Sequence, residues 1–221
     1  MINFKEYKIE VRSSILSESL LSQSKYHKDL IVLLTKVFIR LDSQSSDKNS
    51  NEILKSLVSF SKLQSVFNLD ENSQFRASVF EFYENIKTTS FCKKNPFFWL
   101  QYAIARLSSR NYPMADTFFN AAYSFGRENP NFDSFHIDNH YARFVLENEY
   151  FNGTADTAFE RFMFAHKLLV SKQDTQLNRH YPLRVATHYG KIYDKYFLDF
   201  TNEEKILFLD SCKEIRRMVF E

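Results

Sequence analysis

Glycine and proline are scarce in this sequence: 221 residues hold 3 Gly and 4 Pro. Hairpin turns, βαβ crossovers and phosphate-cradling loops all draw on glycine, so those architectures have little material to work with. Cysteine is scarce too. Cys92 and Cys212 form no CxxC pair and no disulfide framework, and they read as reduced thiols of a cytoplasmic protein. Charge of one sign is missing: 29 basic against 27 acidic residues leave +2, too little for electrostatic capture of nucleic acid, which is not the expected partner. Long apolar runs are missing as well. The longest, Leu30 to Leu34, is followed by Lys36 and Arg40, so no membrane span is expected, and the charged first residues contain no signal peptide.

What remains is an aromatic-rich chain of otherwise ordinary globular composition, with 44% hydrophobic residues and 24 Phe. Apolar residues recur at helical spacing from end to end. Val11 to Leu21 carries one apolar face, and Tyr26 to Leu41 reads as a central helix. The polar stretch 42–51 reads as a loop, and Glu52 to Phe67 as a single helix. Asp70 or Asn72 could cap the next helix, through Phe75, Val79, Phe82 and Ile86. Asn95-Pro96 is a strong helix start, a capping side chain followed by proline in the first turn. Gly126 reads as a left-handed terminator, and Thr201 with Glu204 as a capping box.

From residue 91 onward the helices fall into pairs, 96–109 with 113–125, 134–150 with 154–171, and 181–198 with 201–220. Paired helices with short connections signal a repeat. With Trp99 as the first mark of a tetratricopeptide (TPR) unit, Ala103 is its small residue, and Ala115, Phe119 and Ala122 complete the A-x3-F-x2-A pattern of the second helix. Ala155, Phe159 and Phe162 repeat the theme 40 residues on, longer than the roughly 34-residue unit. Ala186 and Phe208 match loosely. The expected fold is therefore all-α: an irregular TPR-like array of helical hairpins, an α-solenoid, over 91–221, with packed N-terminal helices over 1–90 in one continuous unit.

Catalytic signals are few. His136 and His140 share a helix face, but Ile137 stands where a metalloprotease motif needs Glu, so they read as two solvent-edge histidines and no metal or other cofactor is expected. Arg161 and His166 have the R-x4-H spacing of HEPN ribonucleases, although Phe162 follows the arginine where that family has a polar residue. They are the basis of an alternative reading as a helical ribonuclease. No Gly-rich phosphate loop or nucleophile constellation is present. The first helices of a TPR-like array line its binding surface. In this register the second pair exposes His136, Asn139 and Arg143, and the third exposes His180 and Thr187. That polar strip is the candidate contact surface.

The runs FCKKNPFFWLQYAIARL (91–107), IDNHYARFVLE (137–147) and YPLRVATHYGKIYDKY (181–196), with SLVSFSKLQSVF (56–67), resemble the C-terminal helical region of large bacterial anti-phage defence proteins. In those proteins such a region follows a STAND-type NTPase or a sirtuin-like NADase module. The resemblance implies a sensor, scaffold or accessory subunit without catalysis of its own. The implied contacts are a protein partner (an effector subunit or a phage component) or a second copy of the chain. The sequence carries no motif of the NTPase, NADase or nuclease modules, so no catalytic residue transfers.

Overall fold

The computed structural model describes residues 27–44, 48–67, 75–129, 132–171 and 180–220. Among them every element is a helix and none is a strand. The expected helix over Val11 to Leu21 and the caps at Asp70 or Asn72 lie outside the described residues. The chain divides into two compact units, residues 1–94 and 95–221.

In the first unit the helices are α1 (His27–Gln44), α2 (Lys48–Val58), α3 (Phe60–Phe67), α4 (Phe75–Ile86) and the short α5 (Ser90–Lys93). Helix α1 packs on α4, α2 and α5, burying Ile31 and Phe38 against a core that includes Leu54, Val79, Phe82 and Ile86. The polar stretch read as a loop is largely helical, because α1 runs on to Gln44 and α2 begins at Lys48. Its polar residues Asn49 and Asn51 are exposed, so they need no apolar partner to be helical. The single helix expected over Glu52 to Phe67 is interrupted at Ser59. At that break the Val58 carbonyl accepts a buried hydrogen bond from the Tyr83 hydroxyl, 2.8 Å away on α4. Helix α5 is capped from a distance: the Asp42 carboxylate accepts from the amides of Ser90 and Phe91 at 2.9 and 2.7 Å. This contact holds α5 in the first unit, which runs to Lys94.

The second unit contains α6 (Pro96–Ser108), α7 (Tyr112–Arg127), α8 (Phe135–Asn152), α9 (Ala155–Val170), α10 (His180–Tyr196) and α11 (Asn202–Phe220). Three of these starts, those of α6, α7 and α11, have a local side-chain cause. Asn95 accepts from the Phe97 amide at 3.0 Å, and Asn111 accepts from Met114 at 3.3 Å. Thr201 and Glu204 form the reciprocal capping box, at 2.8 and 3.3 Å. Helix α6 ends in a Schellman turn, with the Arg110 amide bonded to the Leu107 carbonyl and the Asn111 amide to the Arg106 carbonyl. The left-handed position of that turn, usually glycine, is Arg110 with φ 57°. Gly126, by contrast, is no terminator. Helix α7 runs through it to Arg127, and the glycine is needed because the Phe132 ring lies against its Cα, where a Cβ would collide.

Strong packing joins α6 to α7 and α8 to α9, while α8 also packs on α10 and α9 on α11. Ala103, Ala115, Phe119 and Ala122 are fully buried, in keeping with a packing role. In α9 the buried trio is Ala158, Phe162 and Ala165, three residues later than the repeat pattern placed it, because Ala155 opens the helix in its exposed first turn. The Phe162 and Phe208 rings then meet with centroids 4.2 Å apart, joining α9 to α11. Helix α8 is the core of this unit, with buried residues around its circumference from Phe135 to Glu149. No described helix is long and apolar enough to cross a membrane.

Candidate functional site

The expected contact strip resolves into an internal network with exposed edges. Arg143 donates through Nε and Nη2 to the Glu147 carboxylate at 3.3 and 3.4 Å. His188 Nε2, from α10, lies 3.4 Å from the same carboxylate oxygen, and its Nδ1 lies 3.3 Å from the Thr187 hydroxyl. With Nε2–H donating to the carboxylate, Nδ1 is left to accept from Thr187. Tyr112 reaches the other Glu147 oxygen at 3.5 Å. Burial alone would raise the Glu147 carboxyl, but the hydrogen bond from His188 and the Arg143 charge hold it below the usual carboxylate range. Arg143 and Thr187 are thus drawn together by Glu147 and His188, two residues with no place in the expected strip.

The other members diverge. His136 is exposed. Asn139 is not: it is 2% exposed, its amide nitrogen donates to the Phe135 carbonyl at 2.8 Å, and its Oδ1 finds no partner among the described residues. The strip was drawn by counting positions in one helix, whereas packing of α8 on several neighbours buries this one. The His180 side chain lies outside the described residues. His140 is half-buried and not at the solvent edge, and burial, with Arg143, His136 and Arg184 nearby, pushes its pKa down to about 4. Among the described residues no three His, Cys, Asp or Glu side chains gather as a metal site.

Arg161 and His166 face different neighbours, because five residues carry them about 140° apart around α9. Arg161 is exposed and lines a pocket against α7 and α8. His166 is buried, with Nδ1 2.9 Å from the Tyr189 hydroxyl on α10 and Nε2 3.0 Å from the Glu214 carboxylate on α11. Burial lowers its pKa against the opposing pull of Glu214. The thiols are equally withdrawn: burial pushes Cys92 up to about 12 and Cys212 up to about 11, so neither offers a thiolate near neutral pH.

The pocket has a volume of about 820 Å³ and lies between the start of α7, one side of α8 and the start of α9. It uses the side of α8 turned away from Arg143, since Val145 stands about 200° further round the helix. Its lining includes Tyr141 and Phe144, the polar Asn148, Asn152, Thr154 and Thr157, and the two cations Arg110 and Arg161. Both carboxylates in its wall are engaged: Asp116 accepts from the Tyr141 hydroxyl at 3.1 Å, and Glu149 accepts from Thr157 at 2.8 Å. Glu149 packs under Gly153, where any side chain would collide with its carboxylate. Arg110 instead lies over the Phe151 ring, 4.7 Å from its centre. Neither arginine has an acidic partner within 4.0 Å among the described residues. Sequence reading missed this pocket because it is assembled from three helices. The one local signal was an arginine in the tight turn before Pro113.

No protein-family model, curated protein or solved structure matches this chain.

Proposed function

We propose that the chain is a non-catalytic protein-interaction module, a TPR-like stack of helical hairpins serving as a sensor, scaffold or accessory subunit in bacterial anti-phage defence. The observation that carries the interaction reading is the order of packing in residues 95–221. Each hairpin closes on itself, and the second and third also pack first helix on first helix (α8 on α10) and second on second (α9 on α11). Stacked hairpins with that order present continuous surfaces to a partner. The defence context rests on the resemblance of NPFFWLQYAIA and its companion runs to the helical regions of defence proteins.

The ribonuclease alternative needs Arg161 and His166 to act on one phosphodiester. Their placement on different sides of α9, with His166 held by Tyr189 and Glu214, weighs against it. Incubating the purified chain with total RNA, alongside affinity purification from its native host with identification of what copurifies, separates the two. The expected result is intact RNA and a defined protein partner. RNA cleavage that disappears in Arg161→Ala would overturn the interaction reading.

A further inference from the structure

We propose that the pocket between α7, α8 and α9 is the docking site for an extended acidic peptide segment of the partner; this inference rests on the interaction reading above.

Asp116 and Glu149 each accept a hydrogen bond, from Tyr141 and Thr157, while the guanidinium groups of Arg110 and Arg161 have no acidic partner within 4.0 Å among the described residues. A ligand that completes the site therefore brings carboxylates. Arg110 lies over Phe151, and Arg161 stands one turn along α9 from Thr157, whose hydroxyl bonds Glu149 on α8. The two cations thus enter the pocket from different elements, the turn before α7 and the second turn of α9, so that two acidic side chains of one extended segment can meet one each.

Between the arginines lies a surface suited to peptide backbone. The Asn152 amide donates to Asn148 Oδ1 at 2.8 Å, which leaves the Asn148 amide nitrogen and the Asn152 oxygen without a protein partner among the described residues. One donor and one acceptor on successive turns, about 6 Å apart along the axis, match the repeat of every second residue in an extended chain.

Fluorescence anisotropy at low salt tests this with a labelled peptide, Gly-Glu-Thr-Val-Thr-Glu-Gly, against the same peptide with Gln for Glu, and with ATP as competitor. The expected result is at least tenfold tighter binding of the Glu peptide. That preference should be lost in Arg161→Glu and, separately, in Arg110→Gly, and kept in Arg217→Glu, an exposed charge on α11. Equal binding of the two peptides, no binding of either, or wild-type binding by both pocket variants would overturn the assignment, as would displacement by ATP without any preference between peptides. Affinity purification with Arg161→Glu separates this from the broader reading. A partner recovered equally by wild type and variant, with no peptide preference, removes the pocket and leaves the interaction module standing. A preserved peptide preference with no partner recovered supports the pocket and removes only the broader reading.

Discussion

The Arg110 guanidinium sits 4.7 Å from the centre of the Phe151 ring, tying the turn between α6 and α7 to the last turn of α8. Two opposing effects meet at that turn. The left-handed backbone costs an arginine about 1 kcal/mol, and the exposed cation–π contact returns about 0.5–1 kcal/mol. Arg110→Gly should therefore stay within about 1 kcal/mol of wild type, whereas Arg110→Ala keeps the strain, loses the contact and falls about 1 kcal/mol below the glycine variant. Urea unfolding midpoints of the three proteins decide the order.

Gly126 gives a test of close approach. Alanine in a helix interior is normally favoured over glycine by about 1 kcal/mol, but here its Cβ would strike the Phe132 ring. Gly126→Ala should destabilise the wild-type protein. In a Phe132→Ala background the same change should stabilise it. A double-mutant cycle by chemical denaturation reads the reversal of sign.

The Glu147 network predicts an asymmetry at Arg143. Arg143→Gln removes a half-exposed ion pair and should cost about 1 kcal/mol or less. Arg143→Glu places a second carboxylate one turn from buried Glu147 and should cost about 2 kcal/mol or more. A charge reversal at Arg143 therefore reports on folding before it reports on partner binding. Thermal melts of both variants at neutral pH check the difference.

Acid should weaken the fold before the carboxylates titrate. The His140 pKa is held at about 4 against an ordinary 6.5, mainly by burial, and burial lowers His166 as well. A histidine lowered in the folded state binds its proton more readily when unfolded. Its contribution is thus complete above pH 6.5 and shrinks as the pH falls toward about 4. Melting temperature should decline across that window. The decline should be shallower in His140→Gln, which a pH series of thermal melts will show.

Much of the helical skeleton was legible in the sequence, because local chemistry writes it. Asn95-Pro96 and the Thr201–Glu204 box mark helix starts that the hydrogen bonds then display. What was illegible depended on partners far along the chain. The break at Ser59 goes with a Tyr83 hydroxyl 25 residues away from Val58, and the helix at Ser90 is capped by Asp42 from 48 residues away. Gly126 reads locally as a terminator, and only the Phe132 ring shows why the residue is small. For the site, counting along α8 found Arg143 but not the Glu147 that binds it or the His188 that shares that carboxylate, and it turned buried Asn139 toward solvent. The pocket needed α7, α8 and α9 assembled before its two arginines could be seen as one feature.

Helix α8 is packed by α7, α9 and α10, and its last turn is fastened from α10, where the Tyr196 hydroxyl donates to the Glu149 carbonyl at 2.9 Å and Lys195 Nζ donates to the Tyr150 carbonyl at 2.6 Å. An element packed by three neighbours opens only when those neighbours move. In deuterated buffer its amides should be the last of residues 95–221 to trade hydrogen for deuterium, at a rate set by opening of the whole unit, while the more exposed turns of α11 exchange through small local openings.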